Sequence, residues 1–175
     1  MAKYGIISDT HITSNDNPEK IENLLNEIEK AFNDVDEIIH AGDVCEKFFL
    51  EELNRIAPTR VVKGNFDQIK ELEEFIIFSD RNYNIGVIHQ QPDNLQDFFE
   101  KNNLHILIYG HTHQPLIKGT PYNTLIINPG SPTRPKAPIQ KKGFKEPIAR
   151  PSVITLKIDK DNILTTFIIN LSFKF

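Results

Sequence analysis

At 175 residues, with 39% hydrophobic and 25% charged side chains, the chain is long enough for one substantial core, short for two ordinary domains and too apolar to stay disordered. A net charge of −4 argues against whole-surface affinity for nucleic acid, so no obligatory nucleic-acid partner is expected. Cys45 is the only cysteine, which rules out an intramolecular disulfide. No apolar stretch approaches the roughly eighteen residues of a membrane-spanning helix, and no leader-type segment opens the sequence. The expected location is the cytoplasm, away from membranes.

The first strand-like run, Tyr4 to Ser8, leads through a polar loop to Pro18, a residue suited to the first position of a helix because its missing N–H would be unpaired there anyway. Ile21, Leu24, Leu25, Ile28 and Phe32 then recur at helical spacing, with Glu22, Asn26, Glu29 and Lys30 on the other face. Glu37 to Ala41 reads as a strand, Glu46 to Ile56 as a second amphipathic helix, and Arg60 to Lys63 as a third strand. This alternation is the signature of parallel pairing through crossovers.

Phe75 to Phe78 and Tyr83 to His89 are strand-like runs separated by the turn-rich Ser79-Asp80-Arg81-Asn82. A short helix, Leu95 to Lys101, precedes the strand His105 to Tyr109. Beyond Pro115 the pattern predicts strands alone, at Leu116 to Lys118, Thr124 to Ile127, Val153 to Ile158 and Ile163 to Leu171. An α/β first half and an all-β second half predict a single domain over 1–175, with two sheets face to face and helices outside. Residues 131–151 stand apart. Five prolines exclude a central strand or helix interior over most of the segment, and six cationic side chains against Glu146 alone give it a net charge of +5, leaving −9 on the rest.

Five of the apolar runs end on residues that can bind a metal. They lead into Asp9-Thr10-His11, Gly42-Asp43, Gly64-Asn65, His89 and Gly110-His111-Thr112-His113. Open α/β sheets place their chemistry beyond the carboxyl ends of strands, so two Asp, one Asn and four His converge on one rim, enough for two divalent ions. Carboxylate, imidazole and amide oxygen suit ions of intermediate hardness, and the lack of cysteine among them disfavours a structural thiolate zinc site. His40 and His105 read instead as packing and surface residues, and Cys45 as an inert buried thiol.

The order Asp-x-His, Gly-Asp, Gly-Asn-x-Asp, His and Gly-His-x-His resembles the calcineurin-like metallophosphoesterases. With Asn128-Pro129-Gly130-Ser131, it is similar to their small bacterial and archaeal phosphodiesterases, related to the retromer subunit of the same fold. The resemblance implies a four-layer αββα sandwich of two mixed β-sheets flanked by helices. It also implies a metal-dependent phosphoesterase, a phosphodiesterase before a monoesterase, in which a hydroxide bridging two divalent metals attacks phosphorus directly. On the matching positions, Asp9, His11 and His113 hold one ion, Asn65, His89 and His111 the other, and Asp43 bridges them; Asp43, Asn65 and His89 carry the catalytic roles. Asp67 matches the motif's acidic residue, and its expected role is to orient a histidine or Asn65 rather than to act as a general acid. Manganese is the family's favoured metal, and iron, zinc, nickel and cobalt accept the same ligands.

The chain departs from the family's pattern at Phe66, where the small relatives commonly lack the histidine too, at Gln90, and at Gln91-Pro92, where a second histidine is usual. Phe66 replaces the histidine that protonates the leaving oxygen in larger phosphatases, which favours esters whose leaving group needs little protonation. Gln90 follows His89 where glycine is usual, and leaves His89 the least secure ligand. The 128–131 turn supports the site structurally, and the basic loop reads either as solvated surface or as a substrate contact through Arg134. The expected partner is a small phosphorylated substrate, a nucleotide or another phosphodiester. A homodimer is compatible with the sequence. Two other functions stay open: a non-catalytic protein-binding scaffold like the retromer subunit, and a regulatory metal-binding protein.

Overall fold

The computed structural model describes residues 2–175. The elements run β1 (Ala2–Ile7), α1 (Pro18–Ala31), β2 (Glu37–His40), α2 (Lys47–Ile56), β3 (Thr59–Val61), β4 (Phe75–Asp80), β5 (Tyr83–Ile88), α3 (Leu95–Asn102), β6 (Ile106–Ile108), β7 (Pro115–Gly119), β8 (Leu125–Pro129), β9 (Ser152–Ile158) and β10 (Leu164–Asn170). They form two five-stranded mixed sheets, ordered β10-β9-β1-β2-β3 and β4-β5-β6-β8-β7. Each sheet has a parallel trio, β1-β2-β3 along one side of the first and β5-β6-β8 at the centre of the second, with antiparallel strands completing it.

Period-two alternation sorts side chains between layers. Ile6, Ile39, Val62, Ile154 and Leu156 of the first sheet face Ile85, Val87, Ile106, Ile108 and Ile127 of the second, forming a dry inter-sheet core. The alternate residues Ile7, Ile38, Val61 and Val153 turn outward under Leu24, Ile28, Phe32, Phe49 and Leu53 of the α1–α2 layer. On the far side, Phe99 of α3 covers Leu107, Tyr109 and Ile126. These are the four layers expected, with a single helix in the outer layer of the second sheet.

Local chemistry sets the element ends. The Asn17 side chain caps α1, accepting from the N–H groups of Glu19 at 2.9 Å and Lys20 at 3.4 Å, with Pro18 at the first helical position. Asp80 pairs with Tyr83, so the β4–β5 turn is narrower than the tetrapeptide expected, with Arg81 left-handed at φ 52°. β8 likewise runs on through Pro129, two residues further than its apolar pattern. Between β8 and β9 the chain forms neither helix nor strand. Among the described residues, no helix is long and apolar enough to cross a membrane.

The registers level the carboxyl ends of the strands. Ile7, His40 and Val61 stand side by side across β1, β2 and β3, as do Val87, Ile108 and Ile127 across β5, β6 and β8. The loops after six strands therefore emerge on one rim, and that rim holds every residue singled out for metal chemistry.

Candidate metal centre

Main-chain bonds stitch the strand ends together before any side chain acts. The Asp9 N–H donates to Gly42 O at 3.0 Å, the His11 N–H to Asp43 O at 3.0 Å, and the Gly110 N–H to His89 O at 2.9 Å. The two sheets meet where the His111 N–H donates to Asp9 Oδ2 at 2.9 Å and where His89 Nδ1 bonds Ala41 O at 2.8 Å. Asp9, His11, Asp43, His111 and His113 all take left-handed φ angles between 48° and 68°. That conformation is uncommon for residues with a Cβ and clusters at functional sites. His111 and His113 therefore do not project from extended chain.

The side chains converge in a small buried volume. Asp43 Oδ2 lies 3.6 Å from His11 Nε2 and 3.4 Å from His89 Nε2. Asp9 Oδ1 lies 3.4 Å from His113 Nε2 and 3.9 Å from His11 Nε2, and the two Nε2 atoms of His11 and His113 are 3.3 Å apart. Asp9, His11 and His113 form one metal-competent trio and Asp9, Asp43 and His89 another, all buried. Asp9 is thus the residue common to both trios, whereas Asp43, expected to be the shared ligand, belongs to the second alone, with its Oδ2 also 3.6 Å from His11 Nε2. His111 is more exposed, its ring meeting that of His89 edge-on at 5.3 Å between centroids. Asn65 sits at the mouth, exposed, lining a cavity of about 270 Å³ with His89.

This donor set fits a cation. With Nδ1–H given to the carbonyl of Ala41, His89 presents Nε2 as a lone pair, and that atom is buried without a hydrogen-bond partner; its 3.4 Å approach to Asp43 Oδ2 is close but not aligned for a hydrogen bond. His113 repeats the device, its Nδ1 bonding the Arg134 carbonyl at 2.7 Å. Backbone acceptors on Nδ1 leave Nε2 free for a metal. Without a shared positive charge, two carboxylates and three imidazole nitrogens at these distances would oppose one another lone pair to lone pair.

The electrostatics follow from burial. His11 is pushed down to about 4 by burial, with Arg134 and the neighbouring imidazoles adding to it and Asp43 opposing, so it is neutral near pH 7. Burial holds the Asp9 carboxyl above its ordinary range, against the Ser8 hydrogen bond. Asp43 lies below its ordinary range: burial works against this, and the close His89 imidazole together with the hydrogen bond from the Phe66 N–H outweighs it. Burial also opposes charge on His89, yet contact with Asp43 and the Ala41 carbonyl keeps it above the usual value.

A sequence profile of the calcineurin-like phosphoesterase superfamily domain matches residues 2–160. The chain belongs to that superfamily. A probable metallophosphoesterase of Methanothermobacter thermautotrophicus is 33% identical over 167 residues, covering 91% of this chain and 87% of that protein. Among solved structures, zinc-complexed Vps29 of Entamoeba histolytica matches with a TM-score of 0.68 at 23% identity, over 96% of this chain and 98% of that one. An archaeal phosphodiesterase matches with a TM-score of 0.67 at 21% identity, over 95% and 99%. The latter two share the calcineurin-like phosphoesterase fold with this chain.

Within this superfamily member, the glycines preceding the ligands act by space more than by torsion. Gly42 alone of the three takes a positive φ, 91°. At Gly64 an added Cβ would lie 2.3 Å from Asp43 Oδ1, and at Gly110 it would lie 2.0 Å from Ser8 Oγ. The 128–131 turn supports the centre as expected: Asn128 Nδ2 donates to Gly110 O at 2.8 Å and Ser131 Oγ to Asp9 O at 2.7 Å. His40 is packed with Nε2 3.1 Å from Thr10 Oγ1, while its Nδ1 has no partner; burial depresses it to about 3. His105 is half-buried and bonds the Asn84 N–H at 3.0 Å. The Cys45 thiol, 3.9 Å from His11 Nδ1, is pushed up to about 12, chiefly by burial.

Two contributors escaped the sequence. Thr133 Oγ1 donates to Thr10 O at 2.8 Å, tying the start of the basic loop under the first ligand loop; hydroxyls next to a turn carry no sequence mark of such a role. Arg134 enters through its main-chain carbonyl, which orients His113, while its side chain remains exposed. His89, expected to be the weakest ligand because Gln90 follows it, is held directly by Ala41.

Proposed function

We propose that this protein is a metal-dependent phosphodiesterase. The observation that carries the reading is the buried, unpartnered Nε2 of His89 facing Asp43, within a ligand set matching the superfamily's motifs at all seven positions. Asp9, His11 and His113 would hold one divalent ion, and Asn65, His89 and His111 a second, with Asp43 shared. The family resemblance favours manganese as the occupant, and this mixed oxygen and nitrogen set would also accept iron, zinc, nickel or cobalt. Two such ions, when bound, clamp phosphoryl oxygens and lower the pKa of water enough to supply a nucleophile near neutrality.

The chain's own groups prepare that chemistry. The Ala41 and Arg134 carbonyls fix the imidazole tautomers of His89 and His113. The exposed Asn65 amide can donate to an ester oxygen, and Arg134 at the rim adds positive charge that an anionic substrate would meet on entry. Phe66, having no proton to give, leaves the departing oxygen to solvent, which suits good leaving groups. A scaffold role finds less support, because no ligand position has been replaced by a residue unable to bind metal.

Metal-stripped protein assayed on a chromogenic diester and monoester, with each divalent ion restored in turn, tests the reading. Diester turnover should appear only with added metal. Asp43→Asn should lower it by more than the roughly 10–100-fold typical of losing a supporting partner. Equal diester turnover after chelation, or in the variant, would overturn the proposal.

A further inference from the structure

Phe66 and Gln90, two of the departures from the family pattern, both border Asn65 at the mouth of the centre. Phe66 is 64% exposed although its main chain is anchored by a 2.8 Å N–H bond to Asp43 Oδ1. Its ring meets His11 edge-on at 5.3 Å between centroids. Leaving a phenyl ring largely in water forgoes the stabilisation its burial would bring, so a flat apolar face is presented to solvent on the His11 half of the centre.

The His89 half differs. There the cavity of about 270 Å³ is lined by Lys63, Asn65, Glu74, His89 and Gln90 among others. One ammonium, one carboxylate and two amides offer donors and acceptors at close range, and glycine at position 90 would remove one of those amides. The volume falls just below the roughly 300–1,000 Å³ of pockets that take a whole small molecule. It suits one arm of a substrate.

Resting on the phosphodiesterase reading, we propose that this centre takes a nucleotide diester, a phosphate joining a base-bearing nucleoside to a second hydroxylated group. The base stacks on Phe66 at the His11 half, and the second arm is hydrogen-bonded in the Lys63–Glu74–Gln90 cavity. Stacking on one exposed ring tolerates any base, because every base has a π-face. Hydrolysis adds one water, breaks one phosphorus–oxygen bond and returns a nucleotide monoester and an alcohol whose departing oxygen takes its proton from solvent, since Phe66 has none to give, with no redox change.

The probe is a dinucleoside monophosphate, compared with methyl p-nitrophenyl phosphate, on the metal-loaded protein and its Phe66→Leu, Phe66→Tyr and Gln90→Gly variants. Titration calorimetry with a non-hydrolysable phosphonate analogue of the dinucleotide reads binding separately. Leucine keeps the bulk and removes the flat face, so Phe66→Leu should cut the kcat/KM preference for the dinucleotide about tenfold, mainly through KM, and weaken analogue binding similarly. Phe66→Tyr should restore both, and Gln90→Gly should weaken the analogue severalfold. Wild-type selectivity and analogue affinity retained in Phe66→Leu, or a loss that Phe66→Tyr shares, would overturn the stacking assignment while leaving the phosphodiesterase reading intact. Absence of wild-type turnover on every ester with every ion would instead overturn that reading, and analogue binding would still decide the role of Phe66.

Discussion

Asp67 shows how one side chain fixes two ligand loops. Its Oδ1 accepts the Cys45 N–H at 2.6 Å, and its Oδ2 accepts the N–H groups of Asp43 at 3.0 Å and Gly64 at 2.6 Å. The loop after β2 is thereby joined to the loop after β3, and Asp43 is set at the depth where it reaches both His11 and His89. A carboxylate engaged by three main-chain donors acts as an anchor rather than a proton source. Asp67→Ala would leave those donors without their acceptor, at about 1–3 kcal/mol each where they remain dry, and should lower metal affinity roughly 10–100-fold. Asp67→Asn, which keeps one carbonyl oxygen, should fall between. Thermal melts and metal titration read both losses. A variant that kept its metal and its melting temperature yet lost turnover would show a general acid instead.

At the scale of elements, the sequence revealed strands ending on ligands but not the approach of those ends. The apolar runs before Asp9, Asp43, Asn65, His89 and His111 announced strands, the first three of them parallel, and the registers that level Ile7, His40 and Val61 follow from burying their alternate residues on two faces. The left-handed angles at five candidate ligands had no comparable signal, because Asp and His tolerate that region without requiring it. The Arg134 carbonyl was equally invisible, since main-chain acceptors are common to all residues and only the path of the basic loop aims this one. Gly110 marks a close approach of the second sheet to the first: a Cβ there would lie 2.7 Å from Asp9 Oδ2 and 2.9 Å from Ala41 O. Gly110→Ala should push β6 away from β1 and displace Asp9, lowering metal affinity at least tenfold along with the melting temperature. A wild-type titration curve for that variant would show that the strand ends have slack.

At the scale of the molecule, the centre is a clamp across the inter-sheet core. Asp9, His11, Asp43 and Asn65 follow strands of the first sheet, whereas His89, His111 and His113 follow strands of the second. An ion held by both groups binds the native arrangement and has no equivalent site in the unfolded chain, so its binding energy adds to stability by mass action. At a hundredfold excess over the dissociation constant, one ion contributes about 2.7 kcal/mol. At roughly 2–4 °C per kcal/mol for a chain of this size, that corresponds to a rise of about 5–11 °C. Scanning calorimetry on metal-stripped protein should show this increase on adding manganese and its reversal with chelator. Asp43→Asn should lose most of the increase, because it weakens the carboxylate shared by ligands from both sheets. A melting temperature insensitive to every divalent ion would mean that the rim residues are held by the sheets alone and that no cation joins them.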